Sequence, residues 1–240
     1  MKKIVIFGGT FDPPHIGHIE TARFILNEMH PDALLVFPAG IPPHKRIMSD
    51  SSSADRLKMT KLAFEPLEKE TGVSIIVSDR ELRRKGKSYT FDTVTEIKEI
   101  FPDSELYLYI GSDMTESFEK WYRYEDILKI CRIVTAKRYD DEDLTDEDKL
   151  FFEKCEMIRE KGIGITILKK DIIIASSTQI REQMKSVYEG NGSKKNDGAR
   201  RLNEDEMSKD EKMSVEKYKM CPPLLTESVF RYIISMNMYR

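Results

Sequence analysis

Short apolar runs recur along the chain, and most are continuous rather than alternating between apolar and polar positions. Continuous runs of Ile, Val and Leu are typical of β-strands that are covered on both faces of a sheet. We therefore predict strands over Lys3–Phe7, Ala33–Pro38, Val73–Val77, Leu106–Ile110, Arg132–Ala136, Ile165–Leu168 and Ile172–Ile174.

Between these runs, apolar residues recur at helical spacing. This pattern predicts helices over about Gly17–Met29, Ser53–Leu67, Thr90–Phe101, Tyr124–Ile130 and Thr145–Lys161. Strands that alternate with helices form βαβ units, so the sequence predicts an α/β fold with a mostly parallel sheet. Ligands of such folds bind beyond the carboxyl ends of the strands, and the residues that follow each strand are therefore the first candidates for a site.

Two charged stretches depart from this pattern. The acidic run Tyr139–Lys149 contains Thr145 followed three residues later by Asp148, which predicts a capped helix start rather than a metal loop. The segment Glu189–Ser214 is half charged and contains no aromatic residue. Such a composition cannot form a core, so we predict a mobile surface insertion at 189–214.

The chain after this insertion returns to helical spacing. Pro222 and Pro223 are predicted to open a last helix over 223–239, which docks on the body. The apolar residues that would dock it are Val229, Tyr232, Ile233 and Met236. No internal repeat is present, so residues 1–240 are predicted to form one domain.

Composition narrows the functional classes. Hydrophobic residues are 40% of the 240, which is enough for a sizeable core. A net charge of -3 and a pI near 5.9 give no overall basic surface, so we expect no nucleic-acid partner. No apolar run approaches about 18 residues, so we expect no membrane partner. The apolar stretch Ile4–Phe7 near the start of the sequence is too short for a signal peptide. Cys131, Cys155 and Cys221 are widely spaced, which indicates reduced thiols in the cytoplasm.

The first predicted strand runs directly into Gly8-Gly9-Thr10-Phe11-Asp12-Pro13-Pro14-His15-Ile16-Gly17-His18. Glycines let a backbone approach a ligand closely, and the helix start beyond them offers unpaired N–H groups to an anion. The string is neither GxGxxG nor a Walker P-loop. His15 and His18 face the same side of a helical turn, where two imidazoles can donate hydrogen bonds to phosphoryl oxygens. The alternatives are two surface histidines in a turn, or half of a zinc site without the nearby ligands to complete it.

A second string, Ala175-Ser176-Ser177-Thr178-Gln179-Ile180-Arg181, follows the predicted strand Ile172–Ile174. Ser and Thr side chains and free amides at a helix start can hold phosphate, and Arg181 adds a charged donor one turn later. Taken alone, the string is more simply interpreted as a Ser N-cap followed by a surface arginine.

These strings carry a family resemblance. His15-Ile16-Gly17-His18 reads HIGH, the signature of nucleotidyltransferases and class I aminoacyl-tRNA synthetases. The longer string GGTFDPPHIGH resembles the bacterial nicotinate-nucleotide adenylyltransferase family, and residues 175–181 resemble its ISSTxIR motif with Ala175 in place of Ile. The resemblance covers Lys2 to about Tyr188 and then Pro222 to Tyr239. It implies a Rossmann-like, doubly wound nucleotidylyltransferase fold.

The resemblance also implies roles for particular residues. The residues that would stabilise phosphate charge in catalysis are His15, His18, Lys45 and Arg181. Those that would bind ATP are Gly8, Gly9, Thr10, Phe11, Gly17, Gly111, Asp113, Ser176, Ser177 and Thr178. Those that would bind the mononucleotide are His44, Thr90, Trp121 and Tyr122.

Two of the weaker matches, Asp113 and Trp121, have a second interpretation, and a third, Arg138, departs from the family's pattern. Asp113 follows the strand Leu106–Ile110, where a carboxylate suits ribose hydroxyls and equally suits a helix cap. A lone Trp is more often core than ligand platform, although polar neighbours favour an exposed role for Trp121, and the family stacks an aromatic ring on the pyridine here. Arg138 would be another phosphate contact, but the family's Arg-Pro-Gly is here Arg138-Tyr139-Asp140.

The implied reaction joins ATP and nicotinate mononucleotide to give deamido-NAD and pyrophosphate, in NAD biosynthesis. The 5′-phosphate of the mononucleotide attacks the α-phosphorus of ATP, so no protein nucleophile is required. Mg²⁺ would arrive with ATP and keep several waters, and we expect no dedicated metal site in the protein.

Other functions stay open from the sequence. The acceptor could instead be nicotinamide mononucleotide or pantetheine phosphate, and a different class would be a nucleotide-sensing module that has lost catalysis. A tRNA synthetase is disfavoured because Met207-Ser208-Lys209 is only a superficial echo of a KMSKS-type loop. The sequence does not specify the oligomeric state, so a homo-oligomer also stays open.

Overall fold

A computed structural model describes residues 1–41, 51–137, 143–161, 164–169, 175–190 and 224–240. The described strands are β1 (Lys3–Gly9), β2 (Ala33–Pro38), β3 (Ser74–Val77), β4 (Glu105–Tyr109), β5 (Arg132–Lys137) and β6 (Ile165–Lys169). They form one sheet in the order β3-β2-β1-β4-β5-β6, and every neighbouring pair is parallel. The predicted α/β fold with a mostly parallel sheet is confirmed.

Helices cover both faces of the sheet. They are α1 (Ile16–Met29), α2 (Ser53–Phe64), α3 (Pro66–Thr71), α4 (Arg80–Arg83), α5 (Thr90–Ile100), α6 (Ser112–Thr115), α7 (Tyr124–Ile130), α8 (Asp146–Glu160), α9 (Ser177–Gly190) and α10 (Glu227–Ser235), with a 3₁₀ turn at Phe118–Lys120. Alternate residues of β1 point to opposite cores. Val5 and Phe7 pack with α1, α2 and α10, whereas Ile4 and Ile6 pack with α5, α7 and α8. Burial on both faces explains why the strands read as continuous apolar runs.

Most described elements lie within two residues of their predicted bounds, and two predicted helices differ by more. The predicted helix Ser53–Leu67 is two helices, because Pro66 lacks the N–H that would continue the first and instead sits at the start of the second. The last helix begins at Glu227 rather than at the predicted prolines. Thr226 is its N-cap, and its hydroxyl accepts the N–H of Val229 (3.4 Å).

Other predictions can be followed only in part. The predicted cap is confirmed, since the Thr145 hydroxyl accepts the N–H of Asp148 (3.1 Å). The predicted strand Ile172–Ile174 lies outside the described residues. Of the predicted insertion 189–214, only the first two residues fall within α9, and the rest is not described, so the insertion and the single domain over 1–240 stay predictions.

The strand order locates the place where a ligand crevice is expected. The chain crosses from β1 to β2 on one side, and later to β4 on the other side of β1. The carboxyl ends of β1 and β4 therefore flank the switch point at which α/β sheets bind ligands. Within the described ranges, no helix is long and apolar enough to cross a membrane.

Candidate active site

A cavity of about 370 Å³ opens where β1, β2 and β4 end. Its wall combines glycine backbone from the end of β1 with aromatic side chains from the opposite layer of helices. Seven of the residues singled out from the sequence line it: Gly8, Gly9, Thr10, Thr90, Gly111, Trp121 and Tyr122. The cavity thus lies at the switch point of the sheet, beyond the carboxyl ends of the strands.

The two glycines at the end of β1 have different surroundings. A Cβ on Gly9 would lie 2.6 Å from the ring of Phe11, which is buried in the core. A Cβ on Gly8 would meet no atom within 4 Å. The backbone at Gly8 is therefore open to close approach by a ligand.

His15 and His18 lie side by side at the start of α1. Their ring centroids are 3.6 Å apart and their planes differ by 25°, which confirms that both imidazoles face the same side. Nδ1 of His18 accepts the backbone N–H of His15 (3.2 Å), so the proton of a neutral His18 ring lies on Nε2. Among the described residues, Nδ1 of His15 is buried and has no hydrogen-bond partner.

Burial keeps this histidine pair uncharged. His15 is 7% exposed, and desolvation lowers its pKa from 6.5 to about 4. Desolvation, and then repulsion from His15, lower the pKa of His18 well below 6.5. Near neutral pH the ligand-free pair therefore offers N–H donors rather than fixed positive charge.

The start of α1 is less open than the sequence predicts. The first helical N–H, from Ile16, donates to the carbonyl of Leu224 (2.8 Å). The expectation of an unpaired amide is therefore wrong at Ile16. The partner is more than two hundred residues away along the chain, so no local pattern could have indicated it.

The two sequence strings that resemble family motifs meet in the structure. The Ser177 hydroxyl donates to the carbonyl of Pro13 (2.9 Å), and the Arg181 guanidinium donates to the carbonyl of Asp12 (2.6 Å). Arg181 also donates to the hydroxyl of Thr178 (3.0 Å). The start of α9 is thus hydrogen-bonded to the loop that leads to the histidines, and the Arg181 guanidinium lies next to that loop.

A buried arginine that the sequence analysis did not single out holds the same loop. Arg56 is 2% exposed and donates to the carbonyls of Thr10 (3.0 Å) and Ala39 (2.7 Å). These carbonyls follow β1 and β2, so one side chain joins two strand ends. Desolvation lowers the pKa of Arg56, and attraction to Asp12 acts in the opposite direction. In the sequence this arginine looks like any charged residue of an exposed helix face.

Aromatic rings form one part of the cavity wall. Trp121 is half-buried, lines the cavity and packs its ring 5.3 Å from that of Phe118. The exposed role expected from its polar neighbours is therefore only partly right, since the indole belongs to both core and cavity. Tyr122 is 52% exposed, and its ring lies 4.7 Å from that of Tyr89.

A carboxyl group that the sequence analysis also missed lines this cavity. Glu81 accepts the Thr93 hydroxyl (2.6 Å) and the N–H of Gly40 (3.4 Å), and the Arg84 charge lies nearby. Desolvation raises the pKa of Glu81, and these partners oppose the shift. Among the described residues that line the cavity, Glu81 carries the one side-chain carboxyl.

The remaining predicted residues have mixed placements. The Phe11 side chain is 1% exposed within the core, so only its backbone can reach a ligand. Gly17 is buried in the first turn of α1, and Asp113 is exposed in α6, next to the cavity residue Gly111. The Ser176 hydroxyl accepts the N–H of Thr178 (3.2 Å). The predicted residues His44, Lys45 and Arg138 lie outside the described residues.

The described side chains do not assemble a metal site of their own. Within the ranges given above, no group of three or more His, Cys, Asp or Glu residues could hold an ion. The donors beside the loop are imidazole, guanidinium and hydroxyl groups. Such a set suits phosphate oxygens, not Mg²⁺, which prefers carboxylate and water ligands.

Comparison with known proteins identifies the family and agrees with the fold. Residues 6–183 match the cytidylyltransferase-like family. The chain is 41% identical over 138 residues to nicotinate-nucleotide adenylyltransferase of Bacillus subtilis (strain 168), covering 58% of this chain and 70% of that protein. It is 32% identical over 185 residues to a probable nicotinate-nucleotide adenylyltransferase of Fusobacterium nucleatum, covering 77% and 88%.

A solved structure shares the fold at lower identity. The nicotinic acid mononucleotide adenylyltransferase of Plasmodium falciparum, complexed with NaAD, superposes with a TM-score of 0.63 and 18% identity, over 100% of this chain and 98% of that one. At this identity the likeness concerns the fold alone. The family match and the bacterial relatives carry the assignment: this chain belongs to the cytidylyltransferase-like family and, within it, to the nicotinate-nucleotide adenylyltransferases.

Proposed function

We propose that the site described above transfers AMP from ATP to nicotinate mononucleotide, giving deamido-NAD and pyrophosphate. One observation supports this most strongly. The loop over residues 10–15, called the HIGH loop below because it leads into His15-Ile16-Gly17-His18, is joined to the start of α9 by two direct hydrogen bonds, from Ser177 to Pro13 and from Arg181 to Asp12. Phosphate donors from distant parts of the chain therefore converge on one loop, two and three residues beyond the cavity-lining residue Thr10, and the cavity is large enough for part of a nucleotide.

The wall of the cavity suits the two kinds of group that the substrates carry. In the cavity wall, the backbone at Gly8 suits phosphate oxygens. His18 and Arg181 are not among the lining residues, and they offer further phosphate donors from the loop and helix next to Thr10. Trp121 and Tyr122 offer aromatic faces to the pyridine ring. We assign the mononucleotide ring to the aromatic part of the wall and its 5′-phosphate to the glycine part.

In this arrangement the protein positions reactants rather than forming a covalent intermediate. An oxygen of the mononucleotide phosphate forms a bond to the α-phosphorus of ATP, and the bond from that phosphorus to pyrophosphate breaks. Orientation of two bound reactants contributes up to roughly 7–11 kcal/mol to such a step. The Nε2–H of His18 and the guanidinium of Arg181 would donate to oxygens on which negative charge accumulates.

Mg²⁺ would enter bound to ATP. When present, it neutralises charge on the phosphates and orients them. Because the described donors suit phosphate oxygens, the phosphates and water would hold the ion. The protein's own share is to bind the phosphate oxygens left free by the metal.

The start of α5 would select the acid over the amide. Tyr89 and Thr90 begin this eleven-residue helix at the cavity wall, where the helix dipole favours an anion. Glu81 opposes a second carboxylate in the same cavity, but the donors of Thr93 and Gly40 and the nearby charge of Arg84 offset part of that repulsion. We therefore expect a moderate preference for nicotinate mononucleotide rather than absolute exclusion of the amide.

An acceptor panel tests the proposal. The protein is incubated with Mg-ATP and, separately, nicotinate mononucleotide, nicotinamide mononucleotide or pantetheine phosphate, and pyrophosphate is followed. The proposal expects the fastest release with nicotinate mononucleotide. Fastest release with another acceptor would replace the assigned substrate, and ATP binding without pyrophosphate release for any acceptor would indicate a sensing module.

A further inference from the structure

The carboxylate of Asp12 lies at the centre of a buried cluster of hydroxyl groups. Oδ1 of Asp12 accepts the phenol of Tyr239 (2.7 Å) and the hydroxyl of Ser51 (2.6 Å). Asp12 and Tyr239 are each 3% exposed. A buried carboxylate without donors is strongly unfavourable, and these two hydroxyls, together with the nearby charge of Arg56, stabilise Asp12 in this position.

The same residue belongs to the loop that carries the histidines. Its carbonyl accepts Arg181, and its side chain accepts Tyr239 and Ser51, so Asp12 is held on both sides. Asp12 directly follows Phe11, whose φ of 49° is left-handed. Non-glycine residues seldom adopt this conformation, and surrounding contacts must hold it in place.

Tyr239, which donates to Asp12, also has an unusual backbone conformation. Its φ is 62°, again left-handed, and it lies beyond α10. Burial, and then the charge of Asp12, raise the pKa of its phenol, which therefore stays a protonated donor. Simple core packing would not require a tyrosine in a strained backbone with its hydroxyl directed at a carboxylate.

We propose that Asp12 is a positioning residue, and that Tyr239 and Ser51 hold its carboxylate so that the HIGH loop and Arg181 keep their geometry for phosphate binding. The expected effect on turnover rests on the proposed function, whereas the expected effect on the geometry of the loop does not. It ties the segment beyond α10 to the site through a single carboxylate. Neither Tyr239 nor Ser51 needs to touch a substrate for this effect.

The chain offers a matched control. Tyr232 lies in α10, and its phenol donates to the carboxylate of Asp55 (3.0 Å) at the start of α2. Tyr239→Phe and Tyr232→Phe therefore each remove one hydroxyl from a phenol–carboxylate pair in the same region. Only the first pair includes a residue of the HIGH loop.

The first measurement is independent of any substrate. Hydrogen exchange of the backbone amides over 8–18 is compared between the wild-type protein and the two variants. The proposal expects faster exchange in Tyr239→Phe and wild-type exchange in Tyr232→Phe. Equal exchange in all three proteins would overturn the proposal, whatever reaction the protein catalyses.

The second measurement is the effect on turnover. Tyr239→Phe and Ser51→Ala should each lower kcat on the order of tenfold, the factor expected for a hydrogen bond to a charged group, while KM changes less. Each protein is assayed at the same number of degrees below its own melting temperature. Under these conditions Tyr232→Phe should keep kcat near the wild-type value. Equal loss of kcat in Tyr239→Phe and Tyr232→Phe would mean that stability alone accounts for the effect. If the wild type turns over no acceptor, Mg-ATP affinity replaces kcat as the readout, so failure of the proposed function is distinguishable from failure of this inference.

Discussion

The buried histidine pair predicts a specific acid sensitivity of the fold. The pKa of His15 is about 4 in the folded protein against 6.5 for a solvated imidazole. Between these values the unfolded chain binds a proton that the folded protein does not bind. The free energy of unfolding therefore falls as the pH drops below about 6.5, and His15 contributes no further loss below about pH 4.

The size of this effect follows from the two pKa values of His15. The full gap corresponds to about 3 kcal/mol. Of this, about 2 kcal/mol is lost between about pH 7.5 and about pH 5, because most of the unfolded chains but few folded molecules carry the proton at the lower pH. His18 adds a loss of the same sign, since its pKa is lowered as well.

Urea unfolding of three proteins at both pH values isolates the contribution of His15. His15→Asn removes the imidazole but keeps a residue that suits an N-cap. His30→Asn, at an exposed helix end, is the control for a lost imidazole. The wild type should lose about 2 kcal/mol more than His15→Asn on acidification. Equal losses in the wild type and His15→Asn would refute the claim that this histidine is buried uncharged.

Substitutions at two residues test the assigned roles within the site. His18→Ala should fold normally and lose a factor on the order of 10²–10³ in turnover, the usual cost of one transition-state donor. His18→Asn retains an acceptor for the His15 N–H and should lose a similar factor. Near-normal turnover in both variants would mean that His18 has a structural role only. Trp121→Ala should raise the KM for the mononucleotide much more than the KM for ATP, because the indole lines the cavity. Equal rises in both KM values, together with a lower melting temperature, would mean that Trp121 only packs in the core with Phe118.

The sheet was predictable because its strands are buried on both faces. Ala33–Pro38 has the predicted bounds to the residue, and so does the helix Tyr124–Ile130. Both are short elements, of six and seven residues. The break at Pro66 was missed because apolar spacing continues across it, although proline chemistry was the available signal.

The site was predictable only where its residues are neighbours in sequence. The glycines and the histidine pair stand within one string, and their spacing indicates their geometry. Arg181 and Asp12 are 169 residues apart, and nothing local indicates that they bond. Arg56 and Glu81 were missed for the same reason, since their burial depends on tertiary packing against distant strand ends.

The identity of the acceptor is tested most directly by competition. Equal concentrations of nicotinate and nicotinamide mononucleotide are mixed with saturating Mg-ATP, and the two dinucleotide products are measured by mass spectrometry at low conversion. The product ratio equals the ratio of the two kcat/KM values. An amide in place of the carboxylate leaves donors unpaired at roughly 1–3 kcal/mol each. A cost of about 1.4 kcal/mol within this range corresponds to tenfold, so we expect deamido-NAD to exceed NAD about tenfold. Equal amounts, or an excess of NAD, would contradict the assignment of nicotinate mononucleotide as the acceptor.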